Sequence, residues 1–130
     1  MPILLDTSVA IAILDGAAPV TESKRNEGEA AFLSIISRVE LTPGIYSDGQ
    51  RNHSRASRLE SFLREVELLP FSDAEADAYE EIIARSGFSR RLVIDRMIAA
   101  TALANGLLLA TLNERDFRNI PGLTIENWSV

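Results

Sequence analysis

The chain has 130 residues, which is the length of one folded domain and excludes a two-domain enzyme. Hydrophobic residues make up 46% and charged residues 25%, an ordinary globular composition that predicts one compact core. Zero Cys and one His exclude a disulfide scaffold, a Cys-ligated zinc site, thiol catalysis and a multi-His metal site. The formal net charge of -6 argues weakly against a nonspecific nucleic-acid coat protein, although the total does not describe how the charge is distributed.

The N-terminal sequence Met-Pro-Ile-Leu-Leu-Asp has no basic segment before it and no long apolar run after it. A helix that crosses a bilayer needs about 20 apolar residues. No export signal is visible, and we expect a cytoplasmic protein that does not enter a membrane.

Short apolar runs alternate with helical patterns along the chain, which is typical of a parallel sheet covered on both faces. We therefore predict a three-layer α/β/α domain that spans residues 1–130. In chain order the first predicted elements are a strand at 3–5, a helix at 9–14, a segment compatible with helix at 28–33 and a strand at 34–37. A long helical region follows from about 43 to 67, which Pro43-Gly44 interrupts or kinks, and then a strand at 68–71. The remaining predicted elements are a helix from 72 or 73 to 86, a helix at about 94–104, a strand at 107–110, a short turn or helix at 116–117 and an edge strand at 123–125.

Four acidic residues lie near the ends of these elements. Asp6 ends the first strand and Glu40 follows the second, whereas Asp95 lies near a helix start and Asp116 follows the fourth strand. Ligands bind outside the carboxyl ends of parallel strands, so these acids are predicted to converge on one site. Two like charges about 4 Å apart repel by about 4 kcal/mol at an effective dielectric near 20, so the cluster calls for a cation. Oxygen ligands favour Mg²⁺ or Mn²⁺ over Zn²⁺.

Each acid except Glu40 also has a structural interpretation. Asp6-Thr7-Ser8 is an ordinary helix cap, Asp95 complements a helix dipole, and Asp116 is suited to cap a short helix. Their shared placement at strand ends is what favours a functional site over four separate caps.

Four acid-bearing segments occur in a characteristic order. They are LLDTSVAI at 4–11, SRVELTPG at 37–44, DRMIAATAL at 95–103 and TLNERDF at 111–117. With them, the chain resembles the PIN-domain ribonucleases over essentially its whole length, and specifically the VapC-type toxins of bacterial toxin–antitoxin pairs. The resemblance implies a PIN-like domain with a short parallel sheet.

The resemblance also implies a Mg²⁺- or Mn²⁺-dependent endoribonuclease. Its implied catalytic metal ligands are Asp6, Glu40, Asp95 and Asp116. In the family, a metal-activated water attacks the scissile phosphorus in line and leaves a 5′-phosphate and a 3′-hydroxyl. Polar positions that line such sites and orient ligands or water match Thr7, Ser8, Thr111 and Asn113.

The family further implies an RNA substrate, a homodimer and a cognate antitoxin whose C-terminal segment occupies a groove near the active site. Apolar residues of the early helices are candidates for the antitoxin contacts, and each is equally compatible with the core. These residues are Ile11, Leu14, Ile45 and Phe62.

Lys24 is the only lysine among 13 basic residues, and the arginines form two groups that are candidates for RNA phosphate contacts. Arg90 and Arg91 directly precede the helix of Asp95. The other group recurs at i, i+4 and i+7 on one predicted helix face and consists of Arg51, Arg55 and Arg58. That face is equally compatible with a solvated surface balanced by glutamates at 60, 65 and 67.

One alternative from another functional class remains open. A protein with the PIN fold and no catalytic activity can serve as a protein-binding module. Metal-dependent RNA cleavage distinguishes the two hypotheses.

Overall fold

The computed structural model describes residues 2–16 and 30–129. In chain order its elements are β1 (Ile3–Leu5), α1 (Thr7–Leu14), β2 (Ala31–Ser34), α2 (Ile35–Leu41), a first 3₁₀ turn (Thr42–Ile45), β3 (Tyr46–Ser47), β4 (Gln50–Arg51), α3 (His53–Glu65), β5 (Glu67–Leu69), α4 (Asp73–Ser86), a second 3₁₀ turn (Arg90–Leu92), α5 (Val93–Ala104), β6 (Leu108–Thr111), a third 3₁₀ turn (Glu114–Phe117) and β7 (Ile125–Asn127). Lys24 and positions 28 and 29 of the predicted helical segment lie outside the described residues.

Five parallel strands form the central sheet in the order β5-β2-β1-β6-β7. β1 lies in the middle, where Leu4 is opposite Phe32 of β2 on one side and Leu109 of β6 on the other. Because the strands all run in one direction, their carboxyl ends form a single edge, which we call the carboxyl edge. A parallel sheet of this kind binds ligands at that edge.

Two apolar clusters fill the space on either side of the sheet. One contains Leu5 with Val9 of α1 and Phe62 of α3, and the other contains Leu4 with Ile98 of α5. Leu4 and Leu5 belong to opposite clusters because successive side chains of a strand point to opposite faces. The predicted three-layer α/β/α architecture with a short parallel sheet is confirmed.

The second strand lies earlier in the chain than predicted. It spans Ala31–Ser34, so the predicted strand at 34–37 is wrong, as is the helix predicted over 31–33. The side-chain oxygen of Ser34 accepts a hydrogen bond from the backbone N–H of Ile36 at 3.1 Å, which starts α2 at the end of the strand. Glu40 therefore lies within α2 instead of directly after a strand.

The long predicted helix is also shorter, since α3 spans only His53–Glu65. Arg51 lies in β4, which pairs with β3 as an antiparallel hairpin. The two-residue turn at 48–49 has positive φ at both positions, 50° and 78°, as such hairpins require. Asn52 then caps α3 by accepting from the N–H of Arg55 at 3.0 Å. The first arginine group is therefore divided between a hairpin and a helix.

The remaining elements lie within a few residues of their predicted positions. α4 ends where predicted, at Ser86, and the Gly87 that follows has a positive φ of 77°, which glycine adopts readily. The last strand pairs in parallel with β6 at the sheet edge. No helix within the described ranges is long and apolar enough to span a membrane.

Candidate active site

Asp6 lies at the carboxyl end of β1 and is only 3% exposed. Its backbone N–H donates to the carbonyl of Ala110 at 2.9 Å, which ties the end of β1 to β6. Its Oδ2 accepts from the hydroxyls of Ser8 at 2.7 Å and Thr111 at 2.8 Å. The side chain makes no capping hydrogen bond to α1, although the residue occupies the cap position. The carboxylate is therefore held at the carboxyl edge by hydroxyl groups.

Glu40 reaches the same edge from α2. The hydroxyl of Thr7 donates to its Oε1 at 2.6 Å and also lies 2.8 Å from the hydroxyl of Ser37. Thr7 is 8% exposed and Ser37 is fully buried, whereas Glu40 is exposed. A buried pair of hydroxyls thus orients a carboxylate that solvent and ligands can reach.

The other two acids come from the opposite side of β1. Asp95 lies in the first turn of α5, and Asp116 lies in the third 3₁₀ turn, which follows β6. The Oδ1 of Asp116 accepts from Nη1 of Arg91 at 3.3 Å, and the aspartate side chain is 28% exposed. Asp116 is therefore oriented by a partly solvated ion pair.

Three of the acids act electrostatically on the fourth, Asp95. The pKa of Asp95 is raised from 3.8 to about 6, chiefly by burial. The negative charges of Asp6, Asp116 and Glu40 raise this pKa further, in that order. The positive charge of Arg91 opposes them. Asp6, Glu40 and Asp116 therefore lie near enough to Asp95 for their charges to raise its pKa.

The chemistry of these groups fits a hard divalent cation, since oxygen ligands and concentrated negative charge are what Mg²⁺ and Mn²⁺ prefer. A cation would also relieve the repulsion that raises the pKa of Asp95. Within the described ranges, however, no three acidic or histidine side chains lie close enough together to hold a metal ion as they stand. Three of the carboxylates accept hydrogen bonds from protein side chains. Asp6 accepts from Ser8, and Glu40 accepts from Thr7. Asp116 accepts from Arg91.

The predicted polar residues contribute in different ways. Thr7, Ser8 and Thr111 bond directly to carboxylates. Asn113 acts through its backbone, because its N–H donates to the hydroxyl of Thr111 at 2.9 Å. The backbone N–H of Leu112 likewise donates to the hydroxyl of Ser8 at 3.1 Å. The turn after β6 therefore orients the two hydroxyls that hold Asp6.

A family model described as the PIN domain matches residues 3–123. The chain belongs to the PIN-domain family. Ribonuclease VapC1 of Rickettsia felis is 33% identical to it, over 96% of this chain and 95% of the relative. The tRNA(fMet)-specific endonuclease VapC of Shigella flexneri is 31% identical over 97% of each chain. Among solved structures, VapBC2 from Rickettsia felis bound to a promoter DNA fragment matches with a TM-score of 0.85 and 25% identity, over 99% of this chain and 100% of that one. The resemblance to VapC-type PIN domains is confirmed.

In this PIN domain two members of the first arginine group donate hydrogen bonds to backbone carbonyls. Arg55 donates to the carbonyl of Gly44 at 3.2 Å, and Arg58 donates to the carbonyl of Leu14 at 3.1 Å. Both arginines therefore connect α3 to neighbouring backbone, and both remain exposed, as does Arg51 on the hairpin.

The second arginine group borders the acids of the PIN domain. Arg91 contacts Asp116, and Arg90 is exposed beside it in the second 3₁₀ turn. Positive charge therefore lies at the rim of a site that is otherwise negative.

Two side chains that form hydrogen bonds in this part of the structure were not predicted from the sequence. Ser37 precedes Glu40 by three residues. In a helix this spacing puts two side chains on the same face, and it is the sequence signal by which Ser37 could have been found. Arg96 is 8% exposed and donates from Nη1 to the carbonyl of Gly87 at 2.6 Å. No local pattern marks an arginine as buried, because its partner carbonyl lies at the end of a different helix.

Proposed function

We propose that this protein is a toxic, metal-dependent endoribonuclease of a toxin–antitoxin pair, built as one PIN domain over residues 1–130. The observation that carries the proposal is that hydroxyl groups hold the carboxylates of Asp6 and Glu40 at the carboxyl edge of the sheet. The charges of Asp6, Asp116 and Glu40 also raise the pKa of Asp95, which supports a shared site. The ribonuclease names of the VapC relatives support the reaction class. The residues proposed to hold Mg²⁺ or Mn²⁺ and to be catalytic are Asp6, Glu40, Asp95 and Asp116.

In this proposal the hydroxyls at the carboxyl edge act on the carboxylates. Ser8 and Thr111 donate to the same oxygen of Asp6, and Thr7 donates to Glu40. Hydrogen bonds from neighbouring side chains fix the orientation of a carboxylate that is to bind a metal. A bound Mg²⁺ or Mn²⁺ would lower the pKa of a coordinated water and polarise the phosphodiester.

Positive side chains are proposed to hold the RNA beside this negative site. Arg90 and Arg91 lie at its rim and are assigned to phosphate contacts. Arg51 is exposed on the hairpin and is a further candidate. Arg55 and Arg58 each donate a hydrogen bond from Nη1 to a backbone carbonyl. They remain candidates for RNA contacts through their other N–H donors.

An apolar groove between α1 and α3 is the proposed binding site of the antitoxin segment. It is lined in part by Ile11, Leu14 and Ile45, with Arg58 also on its wall. Ile11 is 46% exposed, as an unpartnered contact residue would be, whereas Phe62 is 6% exposed and belongs to the core. The proposal includes a cytoplasmic homodimer that a cognate antitoxin inhibits.

The variant Asp95→Asn tests the proposal. It is nearly isosteric and removes one negative charge, so RNA cleavage with Mg²⁺ should fall by orders of magnitude and growth inhibition without the antitoxin should disappear. The metal-free melting temperature should stay the same or rise, because repulsion within the cluster is relieved.

The matched control is Asp73→Asn, the same change at an exposed position in the first turn of α4. It should leave cleavage and toxicity unchanged. An Asp95→Asn protein that is less stable yet cleaves RNA at the wild-type rate would contradict the metal-ligand assignment. A wild-type protein with no metal-dependent cleavage would favour the noncatalytic module.

A further inference from the structure

Residues 87–92, which we call the 87–92 loop, join α4 to α5 beside the acidic site. Arg91 of this loop contacts Asp116 at 3.3 Å. The loop ends three residues before Asp95. It therefore forms part of the rim of the acidic site.

The conformation of the loop is fixed at both ends. The N–H of Gly87 donates to the carbonyl of Ile83 at 2.8 Å, and the carbonyl of Gly87 accepts from buried Arg96 at 2.6 Å. At the other end the N–H of Leu92 donates to the carbonyl of Ser89 at 3.2 Å. A bond from a charged guanidinium is stronger than a neutral one, and leaving this buried charge without a partner would be costly. The loop is thus a preorganised element of the rim.

Phe88 in this loop is 67% exposed, the largest exposure among the large hydrophobic side chains of the described residues. It precedes Arg91 by three residues, so their Cα atoms are at most about 10 Å apart. An aromatic ring that is mostly exposed on a rigid backbone segment offers apolar surface to a planar partner. Nucleic-acid bases are such partners.

Arg91 is suited to bind the phosphate next to such a base. Its side chain is 75% exposed. In the part of the chain that the structure describes, its Nη1 donates a hydrogen bond to Asp116. A guanidinium carries five N–H donors in a fork that matches phosphate oxygens. Most of these donors therefore face solvent at the edge of the site.

We propose that the 87–92 loop is the RNA-reading element of this ribonuclease, in which Phe88 stacks on an unpaired base beside the scissile bond and Arg91 contacts the adjacent phosphate. Single-stranded RNA is recognised by this combination of aromatic stacking and phosphate contacts. A chain with a net charge of -6 and an acidic site repels RNA, so a local aromatic and positive element is needed to hold the strand. The inference rests on the proposed function.

The first test measures binding of a fluorescently labelled, short single-stranded RNA in EDTA, where cleavage does not interfere, and then cleavage of the same RNA with Mn²⁺. Phe88→Ala and Phe88→Leu should weaken binding by about fivefold to hundredfold, the loss expected for one stacked base. Phe88→Trp should bind at least as well as the wild type. The leucine variant is the matched control, because it keeps apolar surface and lacks an aromatic face.

The second test measures the salt dependence of the same binding. Arg91→Ala should weaken binding and lower the slope of log affinity against log salt by about one contact. The control is Arg64→Ala, an exposed arginine in the last turn of α3, which leads to the start of β5 and so lies away from the carboxyl edge. This control should keep the wild-type affinity and slope.

Three outcomes overturn the inference. If the wild type cleaves RNA and Phe88→Ala binds it equally well, the loop does not read RNA and the proposed function still stands. If Phe88→Ala reduces the oligomer size in sedimentation and leaves RNA affinity unchanged, the residue contacts a second copy instead. If the wild type neither binds nor cleaves tRNA, rRNA or mRNA, both the inference and the proposed function fail.

Discussion

At the scale of single residues, hydroxyl groups hold the carboxylates of the acidic site in place. The hydroxyls of Ser8 and Thr111 converge on one oxygen of Asp6, and Thr7 contacts Glu40 from a buried position. Side chains that orient metal ligands typically change metal affinity or activity by about 10- to 100-fold when they are removed. The threonines and the serine are therefore expected to matter for the metal site although they are not charged.

Thr7→Val removes the donor to Glu40 and nearly preserves the side-chain shape. We expect Mn²⁺ affinity, measured by calorimetric titration, to fall by about 10- to 100-fold, because Glu40 loses the bond that orients it. Thr7→Ser keeps the hydroxyl and should restore the affinity. Because Ser37 also loses a partner, Thr7→Val should cost about 1 kcal/mol of stability. Unchanged Mn²⁺ affinity in the valine variant would assign Thr7 a structural role alone.

At the scale of elements, a buried carboxylate fixes the packing of α4 against α5. Glu75 is 4% exposed, and its Oε1 accepts from the backbone N–H and the hydroxyl of Ser72, each at 2.8 Å. Its Oε2 accepts from the side chain of Asn105 at 3.0 Å. Since Ser72 precedes α4 and Asn105 follows α5, one side chain joins the start of one helix to the end of the other.

Glu75→Gln should therefore destabilise the fold by about 1–3 kcal/mol, because its amide group cannot accept from both partners. Hydrogen bonds, chiefly that from the backbone of Ser72, lower the pKa of Glu75 below 4.5 despite the opposing effect of burial. A lowered pKa means that the carboxylate stabilises the fold above the unfolded value and that this contribution is lost as pH falls through the folded value.

Chemical denaturation at neutral and at acidic pH measures this effect. The stability difference between the wild type and Glu75→Gln should be largest at neutral pH and shrink on acidification. The matched control is Glu80→Gln, an exposed position on the same helix. A difference that does not depend on pH would mean that the charge of Glu75 is not what joins the helices.

At the scale of the whole molecule, the proposed metal links carboxylates from four separate segments of the chain. Mg²⁺ or Mn²⁺ should raise the melting temperature, since a ligand at 100 times its dissociation constant adds about 2.7 kcal/mol. Zn²⁺ should show no selective high-affinity site. An unchanged melting temperature in millimolar Mn²⁺ at neutral pH would count against a four-acid site.

This stabilisation should depend on pH through Asp95, whose pKa is raised to about 6. In the metal-free protein the raised pKa gives a stabilising contribution that is present below the unfolded value near 3.8 and is lost as pH rises through about 6. Protons therefore compete with the metal, so the gain in melting temperature should be large above pH 6 and shrink below it. Asp95→Asn should remove most of this pH dependence.

Sequence alone was enough to predict the fold class, and it led us to propose four acids for the site. Buried parallel strands are continuous apolar runs, and acids that follow such strands must meet at one edge when the strands run in the same direction. For this reason Asp6 and Asp116, which follow β1 and β6, could be assigned to one place before any contact was known, whereas Asp95 was assigned there from its position at a helix start. Glu40 was assigned there too, although it reaches the edge from within a helix.

Only the tertiary structure decided which side chains hold the acids and which arginines border them. Thr7 and Glu40 are 33 residues apart in sequence, and Thr111 and Asp6 are 105 apart, so no local pattern predicts their hydrogen bonds. The start of α2 at Ser34 was likewise decided by capping and by pairing with β1, because a short apolar run is compatible with either strand or helix. Local chemistry determined which elements form, whereas contacts between distant segments determined what the site can hold.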